Sequence, residues 1–166
     1  MEWAFRGPLE AQRRLTTLDA ATIAAMQPEE VVEAFVAKPA LHRYPAVMAK
    51  RVHELARFVT DHYDGRPERI WTEAADATDL LTRLQALPGY GAQKAKIFLA
   101  ILGKRLGVAP QGWQTLAEAY GEPGFRSIAD VDGPGAIDKV RTYKQAAKQA
   151  AKQTMTKKAG AGPRQR

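Results

Sequence analysis

Apolar positions along this chain recur at spacings of three and four, the signature of helices that bury one face. Met48, Val52, Leu55, Ala56, Val59 and Tyr63 make the clearest case, an amphipathic helix that ends near Asp64-Gly65-Arg66-Pro67. Upstream, Pro8 to Leu18 and Pro28 to Ala37 predict two shorter helices, the second opening Pro-Glu-Glu as a first turn prefers. Ala37-Lys38-Pro39-Ala40 and Tyr44-Pro45 break the chain between helices. Asp79 is the expected cap of a helix that carries Leu80, Leu81 and Leu84 and stops at Pro88. The next helix is expected from Ala92 to about Leu106, with Ala95, Phe98, Ile101 and Leu102 on its apolar side. Gln111 to Tyr120 predicts another. Gly121-Glu122-Pro123-Gly124 and Asp132-Gly133-Pro134-Gly135 are turns, and a last helix starts near Ala136 and runs through Lys139, Tyr143 and Ala147. No segment sustains a period of two, so the expected fold class is all-α.

A chain of 166 residues suits one domain and buries enough surface to fold without a metal or disulfide staple. The domain is expected over residues 1–152, with a helical hairpin at about 79–106. Residues 153–166 offer nothing to pack and are expected to form a disordered basic tail. The absence of cysteine excludes an iron–sulfur cluster, a thiolate zinc site, a cysteine nucleophile and a disulfide framework. His42, His53 and His62 are spaced too irregularly for a metal site, and neither metal nor cofactor is expected. No apolar run approaches the roughly 18 residues of a membrane span, and the first residues do not form a signal peptide. The chain is expected to be soluble and cytoplasmic, with no membrane partner.

Charge changes the picture. The net charge is +7, yet residues 139–166 alone hold nine basic residues and no acid. Residues 1–138 therefore carry 16 basic against 18 acidic side chains. Within that near-neutral body, no acid occurs between Asp79 and Glu118, while Arg83, Lys94, Lys96, Lys104 and Arg105 do. A polyanion, nucleic acid first, is the partner such a surface predicts; a merely solvated basic tail is the alternative. Lys144, Lys148 and Lys152 recur every four residues, a stripe suited to non-specific phosphate contact or simply a solvated helix end.

The segment Leu87-Pro88-Gly89-Tyr90-Gly91-Ala92-Gln93-Lys94-Ala95 predicts a tight helix–hairpin–helix. Gly89 and Gly91 let the main chain adopt conformations closed to other residues and approach a phosphate closely. The amides of Gly91, Ala92 and Gln93 fall at the open N-terminal end of the second helix, where the dipole favours an anion. Lys94 and Lys96 add charge beside them. Gly89, Tyr90, Gly91, Ala92, Gln93, Lys94 and Lys96 are thus the candidate DNA-binding residues. Contacts of this kind hold a protein on DNA without reading sequence. A Pro-Gly turn between two packed helices is the structural alternative.

The motif Leu-Pro-Gly-Tyr-Gly-x-x-Lys-Ala resembles the hairpin of the helix-hairpin-helix/GPD superfamily of base-excision DNA glycosylases. The likeness extends to Met1–Pro8, Lys38–Pro45, Gln93–Ala100 and Lys139–Lys144, spans most of residues 1–150, and points to a small bacterial branch of base excision repair proteins. It implies an all-α glycosylase domain that rotates a damaged or mismatched base out of double-stranded DNA and cleaves its glycosidic bond. In such proteins the hairpin often also holds a monovalent cation through backbone carbonyls, here those of Gln85, Leu87 and Tyr90.

The resemblance also locates two catalytic positions. Bifunctional members carry a lysine nucleophile two residues after the second hairpin glycine, where this chain has Gln93; Lys94 points about 100° away. Schiff-base strand cleavage is therefore not expected, and an active protein would be a monofunctional glycosylase using water. The aspartate that stabilises the cationic sugar falls at Gln111, whose amide lacks the needed charge. No catalytic residue is assigned, although Asp130 and Asp132 lie downstream, as suited to a cap or turn as to catalysis. Residues 1–8 match the middle of a helix in that superfamily, which implies a shortened N-terminus or a misplaced start. Tyr90 is a candidate wedge against DNA and Trp113 a candidate stacking platform, each with packing as the alternative; Trp71 is assigned to packing. The functional readings are a glycosylase-like repair protein, a non-catalytic module recognising damaged or distorted duplex, and an inactive truncated homologue.

Overall fold

The computed structural model describes the backbone of residues 2–160 and the side chains of residues 6–150. All regular structure in this range is helical, and no strand occurs among the described residues. The chain divides into two compact units, one formed by residues 1–75 and 82–91, the other by 76–81 and 92–166.

The first unit begins with α1 (Glu2–Leu15), which starts six residues before the expected Pro8. Pro8 lies inside the helix, where its ring removes one backbone donor without ending it. The helix stops short of Leu18 because Thr16 turns left-handed, with φ of 61°. The sequence pattern missed α2 (Ala20–Ala25), since Ile23 is its one buried side chain and a single apolar position shows no period. Asp19 caps it, accepting the Thr22 amide at 2.7 Å. Pairing of α3 (Pro28–Val36) and α2 with the long α4 (Pro45–Tyr63) buries Ile23, Val31, Phe35, Ala49 and Ala56 in one cluster. The end of α4 is where the pattern put it: Asp64 and Gly65 both adopt positive φ, 52° and 73°.

Two polar groups inside this unit are hydrogen-bonded. His53 is buried and hydrogen-bonded to the Met26 carbonyl at 3.1 Å, a packed histidine. The Arg14 side chain, 8% exposed, is held by Glu10 at 2.7 Å. Its guanidinium donates to the carbonyls of Ala34, Ala37 and Pro39 at 2.8–2.9 Å, filling acceptors that the end of α3 leaves open. A four-residue α5 (Arg69–Thr72) completes the segment before the hairpin.

In the second unit, α6 (Ala77–Ala86) is capped by Asp76 rather than Asp79: the Thr78 and Asp79 amides both donate to Asp76 Oδ1 at 2.8 Å. Asp79 instead sits in the first turn, where a carboxylate favours the helix dipole. The later residues of α6, from Thr82, belong to the first unit. Next comes α7 (Ala92–Arg105), close to the expected limits, with Ala95, Leu99, Ala100 and Leu102 buried. The single helix expected over 111–120 is broken into α8 (Trp113–Leu116) and a 3-10 turn at Glu118–Tyr120. Glu118 has φ of 52°, and Gly121 presses on the Gln114 main chain so closely that a Cβ would stand 2.4 Å from its carbonyl. A second 3-10 turn, Ile128–Asp130, packs on α7.

The last helix, α9 (Ala136–Gly160), begins where the pattern predicted but runs past Lys152. Residues 153–160, where the sequence predicts the tail, continue this helix as a stretch of Gln, Thr, Met, Lys and Ala that ends at Gly160. Residues 161–166 lie outside the described residues. No helix among the described residues is long and apolar enough to cross a membrane.

Candidate nucleic-acid interface

The hairpin turn follows from its residues. Leu87 is buried and anchors the end of the first helix, and the Tyr90 amide donates to its carbonyl at 2.9 Å. Gly89 bears the left-handed conformation, φ 78°, that this turn requires and that a side chain resists. Gly91 differs from the sequence expectation. Its φ is not positive, and a Cβ placed there meets no atom within 4 Å. Its value is therefore open space above the main chain rather than unusual backbone geometry.

Gly91 closes the first unit, and the chain enters α7 at Ala92 directly. The amides of Ala92 and Gln93 have no acceptor inside a helix that starts there. No acidic residue stands in that first turn to compete for them. Gly89, Gly91, Ala92, Gln93 and Lys94 are all exposed. Tyr90 is half-buried, and burial pushes its phenol above the ordinary value because the phenolate is the form that desolvation disfavours. A ring already partly covered has less surface to insert at a base step.

Lys96 is corrected. The sequence around it is free of acid, but the 3-10 turn at 118–120 packs against α7 and brings Glu118 into an ion pair with the Lys96 ammonium. The same device disposes of other cations in that stretch. Arg83 donates to the carbonyls of Arg69 and Glu73, at 3.4 and 2.9 Å. Lys104 donates to Asp130 Oδ1 at 2.6 Å and to the Glu122 carbonyl at 2.7 Å. With side chains 17% and 9% exposed, Lys104 and Asp130 form a largely covered pair.

Asp130 has further partners. Its second oxygen accepts the Arg126 and Ser127 amides, both at 2.9 Å, so Asp130 caps and staples the 126–130 turn. Asp132 is exposed and lines an open cleft of about 310 Å³ with Lys104, Arg105, Gly124 and Phe125. Gln93 donates its side-chain amide to the Tyr120 hydroxyl at 2.9 Å, and Gln111 lies exposed in the turn before α8. Trp113 is buried: α7 carries Gly103 opposite it, where a Cβ would come within 2.6 Å of the indole. Packing, rather than base stacking, accounts for Trp113. Trp71 is partly buried, as a packing residue is.

Gln85 lies in the last turn of α6, whose carbonyls have no donor inside the helix, while Leu87 and Tyr90 lie beyond it and the Leu87 oxygen accepts the Tyr90 amide. No group of three or more His, Cys, Asp or Glu side chains able to hold a metal occurs among the described residues. Along α9, every residue from Lys144 to Ala150 is exposed, so Lys144 and Lys148 stand in solvent. The side chain of Lys152 lies outside the described residues. Comparison with protein-family models, curated proteins and solved structures finds no match to this chain.

Proposed function

We propose that this chain binds double-stranded DNA through the turn 88–91 and the first turn of α7, as a base excision repair protein of glycosylase-like build. One observation carries the reading: a turn with Gly89 in the left-handed region and empty space at Gly91 delivers the main chain straight into a helix start that has no acid in its first turn. Phosphate suits such a place, since amides, dipole and the Lys94 charge all favour an anion there. A monovalent cation held by the Gln85, Leu87 and Tyr90 carbonyls would add positive charge for the same phosphate. Lys96 takes part only by exchanging Glu118 for DNA.

A second reading, a non-catalytic module for distorted duplex, draws on the carboxylates. Asp130 spends three of its roughly four acceptor sites on Lys104 and two amides, and the Lys104 ammonium already offsets its charge, which disfavours a role beside a sugar cation. Asp132 is the carboxylate left for an enzymatic role. With neither a lysine at Gln93 nor an aspartate at Gln111, an active protein would release the base by water and leave the strand intact.

Gly91→Val tests the binding surface cleanly, because neither φ nor neighbouring atoms oppose a side chain there. Its expected result is unchanged stability with duplex affinity lowered at least ten-fold at low salt, about 1.4 kcal/mol. Unchanged affinity removes the turn from the interface. Base release from duplexes containing uracil, an alkylated base or a mismatch, lost in Asp132→Asn, establishes the enzyme; tight binding without release on each establishes the module.

A further inference from the structure

We infer that Arg51, in the middle of α4, is a phosphate-contacting residue of the hairpin turn, a cation the fold delivers to Gly89 from 38 positions earlier in the chain. The inference rests on the DNA-binding reading above and names a residue that the turn's own sequence does not contain. A Cβ built on Gly89 would lie 3.9 Å from Arg51 Cδ, so the aliphatic stem runs alongside the bare glycine. The guanidinium begins one bond beyond that carbon. Both residues belong to the first unit.

Arg51 is exposed, and among the described residues it makes no hydrogen bond and no ion pair. Arg57, on the same helix, is likewise without an ion pair among the described residues, but other arginines of this unit are engaged. Arg13 and Arg14 are bound to Glu10, Arg66 to Glu68, and Arg69 to Asp64 and Glu73, while Arg83 is spent on carbonyls. An arginine kept away from carboxylates beside an exposed turn is equipped for one task above others. Its planar fork offers paired N–H donors that match two oxygens of one phosphate, and it carries its charge at every accessible pH. The surrounding sequence strengthens the field: residues 38–57 hold Lys38, Arg43, Lys50, Arg51 and Arg57 against the single acid Glu54. Contacts of this type are to the backbone of the duplex, so no base preference is expected from them.

The experiment uses the full chain, a fluorescent mixed-sequence duplex and anisotropy titrations over a range of salt. Arg51→Met keeps the stem against Gly89 and removes the charge. It is expected to bind about ten-fold more weakly at low salt and to flatten the log–log salt slope by about one. Arg51→Lys, which restores a point charge without the fork, should recover the slope and part of the affinity. Arg57→Ala, roughly 240° further round α4, should lose less than half as much as Arg51→Met on a logarithmic scale. Full affinity and slope in Arg51→Met, with wild-type protein binding, overturn the inference and leave the hairpin reading standing. So does an equal loss in Arg57→Ala, which would mean bulk charge alone. A wild-type chain that fails to bind duplex removes the hairpin reading and Arg51 together.

Discussion

Helices α4 and α7 are both amphipathic, both rich in lysine and arginine, and they dispose of those cations in different ways. Along α7 and its flanks, the linear sequence shows positive charge with no acid for almost forty residues, yet folding brings Glu118 to Lys96 and Asp130 to Lys104. Along α4, Lys50, Arg51 and Arg57 have no ion pair among the described residues, and Arg51 lies beside the turn. Charge counted along a sequence therefore overstates the cationic surface wherever the chain later folds an acid back onto it. It understates the surface where cations from a distant helix gather at a turn.

The comparison can be broken most decisively at Lys104. Lys104→Ala leaves the Asp130 carboxylate buried without its cation and should cost about 3 kcal/mol of unfolding free energy, read from the denaturant midpoint. A normal midpoint would return Lys104 to the pool of binding cations. Arg51→Met, by contrast, should leave that midpoint within about 0.5 kcal/mol of wild type, as surface changes do.

A smaller effect separates two neighbours on α7. Lys94→Glu should weaken duplex binding about ten-fold at low salt, because Lys94 is exposed in the first turn of α7, whereas Lys96→Glu, at a partly covered position paired with Glu118, should weaken it about three-fold. Releasing that charge with Glu118→Gln should tighten binding about two-fold. Equal losses at the two lysines, or weaker binding in Glu118→Gln, would erase the distinction drawn from the ion pair.

The smallest effect lies at the acid end of the pH scale and belongs to the first unit. Hydrogen bonds from Arg13 and Arg14 pull the Glu10 carboxyl from 4.5 down to about 2. A depressed carboxylate pKa stabilises the folded state above the ordinary value and loses that contribution as pH falls toward the folded one. Stability should therefore decline between pH 5 and 2, and Glu10→Gln should make that decline shallower. Parallel acid curves for the two proteins would assign the loss to other carboxylates.

Much of the fold was legible before any coordinates. The end of α4 at Asp64-Gly65, the start of α7 at Ala92 and the start of α9 at Ala136 follow from periodicity and turn residues, since each is decided within a few positions. Short elements were not. α2 buries one residue, and the break between α8 and its 3-10 turn depends on Gly121 lying against Gln114. The cap of α6 is Asp76, three positions before the expected Asp79, because which carboxylate reaches the first free amides is set by the path of the chain rather than by residue type. For the site, Gly89 could be read from the Pro-Gly pair, whereas Glu118 and Arg51 left no local trace at the turn.

Helical character, the breakpoints and the glycine turn were settled by local rules of pattern and backbone freedom, which act over a handful of residues. The fate of each charge was not. Whether Lys96, Lys104, Asp130 or Arg51 is spent or available depends on which groups folding brings within a few ångströms, and that is decided by the packing of helices far apart in the chain.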